Sequence, residues 1–188
     1  EMSLWLTILL HNYTDLIYIE GGFKEIEDNI KFKLIKEIIR SGKIDAVDIE
    51  LSSGRENIAY IKSIAQKNNV ALILSYHNLQ ETPPAEVLVE KNRQEILNGA
   101  DIAKVSVMAN TVEDVLKLLT STLKARQEVL NPLITIAMGG IGAITRAAGW
   151  LFGSDLTFAE GEKASAPGQM PIKELKMIID ILQKARQS

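Results

Sequence analysis

The sequence of 188 residues contains no cysteine. That excludes disulfides, thiolate metal centres and a cysteine nucleophile, and it fits a reducing, cytoplasmic setting. Only two histidines occur, His11 and His77. They offer no metal-ligand spacing, and with neither an HExxH pair nor an aspartate-rich calcium loop, no metal is expected. Positive charge is not in excess: 21 Lys and Arg stand against 24 Asp and Glu, a net charge of −3. Without a basic cluster interleaved with aromatics, the electrostatic footprint of a nucleic-acid binder is missing. The longest apolar stretch near the start, residues 4 to 10, is too short to span a bilayer and lacks the basic flank of a secretion signal, so no membrane association is expected. It reads as a packed helix or strand. The glycines at 139, 140 and 142 form neither a dinucleotide fingerprint nor a phosphate loop.

What is present is ordinary for one globular domain: 46% apolar and 24% charged residues over a length that buries a real core. Residues 14 to 20 read as a short strand stopped by Gly21-Gly22. Residues 24 to 40 follow with Ile26, Ile30, Leu34, Ile35, Ile38 and Ile39 at helical spacing and Gly42 as a C-terminal cap. The unit then recurs. Strands are predicted over 44–51, 70–76, 101–108, 133–138 and 155–159, and helices over 56–68, from about 82 to 97, from Thr111 onward, over 142–151 and over 171–185. Thr111 with Asp114 three residues on is a capping arrangement. Six strands alternating with helices, the strands apolar on both faces, predict an α/β fold with a parallel sheet covered by helices.

Within the strand Gly99-Ala-Asp-Ile-Ala-Lys-Val-Ser-Val-Met108 stands Lys104. An ammonium in an apolar strand either snorkels to solvent or is paired, neutral or chemically employed. Glu50, His77 and Lys104 fall at or near strand ends at successive intervals of 27 residues. One βα unit therefore separates each from the next, and parallel strands bring all three to one edge of the sheet, where (β/α) barrels and open doubly wound sheets both place their sites. Histidine titrates near neutrality and can take and return a proton, which suits His77 to an elimination or to a structural hydrogen bond. Arg146, at a helix start beyond a strand, could clamp a carboxylate or lie at the surface. Ser165-Ala-Pro-Gly-Gln169 is a polar turn. Met138 and Phe158 are core residues by default.

Taken together, Asp48-Ile-Glu-Leu51, Ser75-Tyr-His-Asn78 with Thr82-Pro83, the Lys104 strand, Ile144-Thr-Arg146, Phe152-Gly-Ser154 and Ser165-Ala-Pro-Gly-Gln169 resemble one family, the type I 3-dehydroquinate dehydratases of the shikimate pathway. The resemblance runs in family order from about residue 20 to the C-terminus. It implies a (β/α)8 TIM-barrel fold in a single domain over 1–188, here incomplete with about six βα units. It also implies a cytoplasmic homodimer that needs no cofactor and dehydrates the small molecule 3-dehydroquinate. Lys104 is then the imine-forming nucleophile and His77 the acid and base, with Glu20 orienting it. Arg146, Ser165, Gln169, Glu50, Met138 and Phe158 are then the substrate-binding residues. Two departures stand out. The family's first two strands have no counterpart, and where the family has an arginine before Glu-Gly-Gly this sequence has Leu16 or a neighbour. Asn78 replaces the aspartate often found after the histidine. Residues 4 to 10, or a second chain, are expected to cover the open barrel edges.

Overall fold

In the computed structural model residues 5–9, 16–20, 28–161 and 166–187 are described, the first two stretches and residues 28 and 29 by their main chain alone. The strands are β1 (Trp5–Leu9), β2 (Leu16–Glu20), β3 (Ala46–Glu50), β4 (Ala71–Asn78), β5 (Ile102–Met108), β6 (Leu133–Met138) and β7 (Leu156–Phe158). The helices are α1 (Asp28–Arg40), α2 (Arg55–Lys67), α3 (Ala85–Leu97), α4 (Val112–Glu128), α5 (Ala143–Ala148) and α6 (Ile172–Gln187).

The helices form where one stripe is apolar. Phe32, Ile35 and Ile39 of α1 and Ile58, Ile61 and Ala65 of α2 pack on Val47, Ile49, Leu72 and Leu74 of β3 and β4. Leu88 of α3 and Val115 and Leu118 of α4 cover Val105 and Val107 of β5. The expected cap on α4 is formed: Thr111 Oγ1 accepts the Asp114 N–H at 3.3 Å, and Asp114 Oδ2 accepts the Thr111 N–H at 3.0 Å. At the end of α1, Gly42 takes φ +66°, a conformation that side chains resist.

From β2 to β6 the strands are parallel neighbours in chain order, and strand twist curls them into a barrel wall. Among the described residues the sheet has seven strands, one more than the six predicted, because residues 5–9 form β1. That strand runs antiparallel to both neighbours, β2 on one side and β7 on the other, so the expectation of an all-parallel sheet fails there. It stands where the open edges were expected and joins them. Between β6 and β7 the closure uses side chains. The Asp155 N–H bonds to Leu133 O at 2.7 Å, Asp155 Oδ2 accepts the Leu133 N–H at 2.7 Å and the Arg126 guanidinium, and Ser154 Oγ accepts the Thr135 N–H at 3.0 Å. Inside the wall lie Ala46, Ile73, Ile134, Ile136, Met138, Leu156 and Phe158.

On α3 the apolar stripe is interrupted by a carboxylic acid. The sheet-facing residues of α3 are Leu88, Val89, Asn92 and Glu95, and Glu95 is fully buried. Burial pushes its carboxyl well above the ordinary 4.5, and the negative charges of Asp48 and Glu50 push the same way. The Asn92 amide and the main-chain N–H of Lys104 pull it back. The folded chain thus holds a proton that the unfolded chain releases near the ordinary value, so the contribution of this group to stability is full below that pH and declines as pH rises through the folded value. Urea melts from pH 5 to 9 should show wild type losing stability relative to Glu95→Gln as pH rises. Parallel stability curves would refute the assignment.

Candidate active site

Strand alternation builds the site. On β5, Ala103, Val105 and Val107 pack outward against the helices, so Lys104 and Ser106 point into the barrel with Ile102 and Met108, which touch the inner cluster. Lys104 is 2% exposed. It does not snorkel: Nζ donates to Asp48 Oδ2 at 2.8 Å, and the Phe158 ring centre lies 4.9 Å from the same nitrogen. A buried ammonium this close to a carboxylate and an aromatic face is compensated by both.

On the neighbouring strand His77 Nδ1 lies 2.5 Å from Glu50 Oε1. The two side chains are more open to solvent than the lysine pair. Strand register sets the heights. Glu50 is opposite Ser75 and Ser75 is opposite Lys104, whereas His77 is opposite Ser106. The equal intervals therefore bring Glu50 and Lys104 to one level and place His77 one inward-facing layer nearer the C-terminal edge. Glu20 ends β2 with its main chain opposite Asp48, and its side chain lies outside the described residues.

Arg146 sits within α5 and is 2% exposed. Its Nε donates to Gly168 O at 3.1 Å, Nη1 to Phe158 O at 3.2 Å and Nη2 to Pro167 O at 3.3 Å. Among the described residues no carboxylate pairs with it. Burial alone pushes its guanidinium down from the ordinary arginine value to about 10, so at neutral pH it stays a cation. The same three bonds tie residues 167 and 168 to the end of β7, and the Gly139 N–H adds a bond to Pro167 O at 3.1 Å. Gln169 follows, its Oε1 accepting the Ala166 N–H at 3.3 Å. Ser165 lies outside the described residues. Met138 and Phe158, the last residues of β6 and β7, are buried in the inner cluster, with the Phe158 ring against Lys104.

The structure thus sets Phe158 against Lys104, with Met138 in the same inner cluster as Phe158, and places His77 with Glu50 nearer the C-terminal edge. Glu50, expected among the substrate contacts, is the described partner of the histidine. Asp48, quoted in a motif but given no role, is the partner of the lysine. Its signal was available: an acid inside an apolar strand is the same anomaly as Lys104.

A largely parallel β/α barrel with a buried lysine–carboxylate pair and a histidine–carboxylate pair toward its C-terminal edge places these side chains where barrel enzymes keep their sites. The sequence over residues 14–186 matches the model of the type I 3-dehydroquinase family. It is 50% identical over 169 residues to the 3-dehydroquinate dehydratase of Geobacillus thermodenitrificans, covering 89% of this chain and 65% of that protein. With the enzyme of Geobacillus kaustophilus it is 52% identical over 151 residues, 80% of this chain and 58% of that one. The crystal structure of the Geobacillus kaustophilus dehydratase superposes with a TM-score of 0.85 at 46% identity over 89% of this chain and 67% of that chain. The type I enzyme of Clostridium difficile, solved with covalently modified comenic acid, gives 0.84 at 36% identity over 89% and 69%. The chain belongs to the type I 3-dehydroquinase family, and it spans somewhat less than two thirds of the length of the two curated relatives above.

Gly168 shows how tightly the closing turn is seated. It has φ +79°, and a Cβ there would lie 2.3 Å from Gly139 O. Gly168→Ala should cost about 1–3 kcal/mol, from the left-handed backbone penalty and the overlap. Urea melts check the cost. Hydrogen exchange at the Gly139 amide should accelerate, because its bond to Pro167 O is displaced. Unchanged exchange would mean that the turn is held by something other than this contact.

Proposed function

We propose that this chain is a hydro-lyase that removes water from 3-dehydroquinate through a Schiff base on Lys104. The observation that carries the reading is the buried Lys104–Asp48 pair against Phe158, in a chain whose relatives are dehydratases of that name. An imine needs a neutral amine, and Asp48 is in contact to take the proton that Lys104 must lose. Lys104 then adds to the ring ketone and a water leaves. The protonated imine is the electron sink, so the adjacent C–H becomes acidic without any organic cofactor or metal.

His77 removes that proton, with Glu50 on Nδ1 fixing the ring so that Nε2 faces the reaction; Glu20 adds to the same orientation. The enamine expels the β-hydroxyl, His77 returns the proton to it, and the second water departs. Hydrolysis of the conjugated imine consumes one water, releases 3-dehydroshikimate and restores the lysine. Arg146, a buried cation that no described carboxylate neutralises, receives the substrate carboxylate. Ser165 and Gln169 close over the ring, and Met138 and Phe158 keep the imine dry. The protein works in the cytoplasm as a homodimer.

A second reading is favoured by a particular residue. Leu16 stands in the strand where the family has an arginine. Loss of such a contact weakens transition-state binding even with nucleophile and base in place. On that reading the chain binds a ring acid or a protein partner without turnover. Borohydride reduction with 3-dehydroquinate separates the cases. Wild type should gain the ligand mass and Lys104→Ala should not, while His77→Ala should keep the adduct and lose about 10²–10⁴-fold in dehydration rate. Adduct without turnover in wild type selects the second reading, and no adduct on folded wild type refutes imine chemistry.

A further inference from the structure

Two serines stand on the inner face of the barrel wall, Ser75 on β4 and Ser106 on β5, and the fold uses them differently. Ser75 Oγ donates to Ile49 O at 3.4 Å, so its hydroxyl is bound back into the sheet. Ser106 is 3% exposed, yet its Oγ makes no hydrogen bond among the described residues. Nor is that oxygen one of those which protein encloses completely without a partner, so it borders the space inside the barrel. An alanine would fill the same place on the wall. A buried hydroxyl that the fold leaves unbonded is a group open to a ligand.

The neighbours of Ser106 fix what can reach it. Along β5 the inward side chains run Ile102, Lys104, Ser106 and Met108, so Ser106 follows Lys104 on one face by about 6.6 Å toward the C-terminal edge. Across the ladders it is opposite His77 on β4 and Ile136 on β6, each about 4.8 Å away from strand to strand. Ile136 and Met108 are apolar, so what is polar near this hydroxyl lies toward Lys104 and His77. Lys104 Nζ donates to Asp48 and His77 Nδ1 is engaged with Glu50, which leaves Ser106 between amine and base with a hydroxyl bonded to neither. A carbon joined to Nζ is held from β5 itself, and Ser106 is the first inward polar side chain beyond Lys104 on that strand.

We propose that Ser106 is a further catalytic residue: its O–H donates a hydrogen bond to the oxygen on the carbon that joins Lys104, the oxygen that departs as the imine forms and returns as the imine is hydrolysed. This deepens the reading of Lys104 as the imine-forming residue and rests on it. In that step the amine nitrogen bonds the carbonyl carbon and the C=O π pair moves to oxygen. The C–O bond then breaks, the nitrogen lone pair becomes the second C–N bond, and the oxygen leaves as water. Two of the three ammonium protons go with it, one of them by way of Asp48. Ser106 keeps its own proton throughout, and its hydrogen bond stabilises the charge that builds on the oxygen. Hydrolysis runs the same steps backward, so one hydroxyl serves both.

Oxygen exchange isolates this step. When 3-dehydroshikimate is incubated with the enzyme in isotopically labelled water, its ketone oxygen is replaced each time an imine forms and is hydrolysed, and no dehydration is needed. Wild type should exchange well above the rate given by Lys104→Ala. Folded Ser106→Ala should exchange about tenfold or more slowly than wild type, while Ser106→Thr, which keeps the hydroxyl, should stay within about threefold. With 3-dehydroquinate and a borohydride quench, the Ala variant should accumulate the adduct of the dehydrated ligand, because hydrolysis has become slow. Wild-type exchange in folded Ser106→Ala overturns the proposal and leaves the imine reading standing, and so does a Thr variant as slow as the Ala one. An Ala variant that accumulates the adduct still bearing the β-hydroxyl also overturns it, since Ser106 would then act with His77 in the elimination. Wild type exchanging no faster than Lys104→Ala refutes the imine reading and the proposal with it.

Discussion

Lys104 and Asp48 face each other at 2.8 Å in a place that water hardly reaches, with side chains 3% and 1% exposed. Taking two ions out of water costs several kcal/mol each, and their attraction offsets that only when geometry is tight and the surroundings are dry. The rest of the barrel can be understood from this requirement. The two residues are held on different strands with β4 between them, so the register of β3 on β4 and of β4 on β5 fixes their separation. A slip of one residue in either ladder would turn one partner to the outside. The apolar residues under α1 to α4 hold that register, and Phe158 and Met138 supply the dry wall.

The same requirement explains why closure matters. A half-open sheet would let water reach the pair from the side and weaken the attraction while leaving side-chain ordering to be paid for. β1 lies between β2 and β7, and Asp155, Ser154 and Arg126 stitch β7 to β6, so the wall continues around the interior despite one antiparallel strand. Antiparallel pairing meets the same main-chain hydrogen-bonding needs as parallel pairing, which is enough for a strand whose task is to close an edge.

Much of this was legible, for physical reasons that differ from element to element. β6 runs over Leu133–Met138 as expected, because a short buried run that is apolar except for Thr135 has few other readings. The cap on α4 was readable because its two residues act locally. β1 was ambiguous since four apolar residues around Thr7 fit a helix or a strand, and its partner β7 lies about 150 positions away in the sequence. The 27-residue rhythm located the site, but the height of each residue depends on interstrand register, which no single segment encodes. Asp48 and Glu95 were overlooked for one reason: helical and strand periodicities are read from apolar residues, and a polar residue on a buried stripe then passes for solvated surface.

Those two overlooked acids differ in what their burial can accomplish. Asp48 faces a cation, so its charge is compensated and it can exchange a proton with Lys104. Glu95 is buried against the Asn92 amide, and burial together with the negative charges of Asp48 and Glu50 favours the neutral acid. A neutral acid can direct a hydrogen bond without adding to the field on the far side of the strand. An ionised one there would strengthen the negative field around Lys104 and hold its proton more firmly, against the needs of the imine chemistry proposed for it. The two carboxyls thus meet opposite surroundings, one inside the barrel beside an ammonium and one under a helix beside an amide.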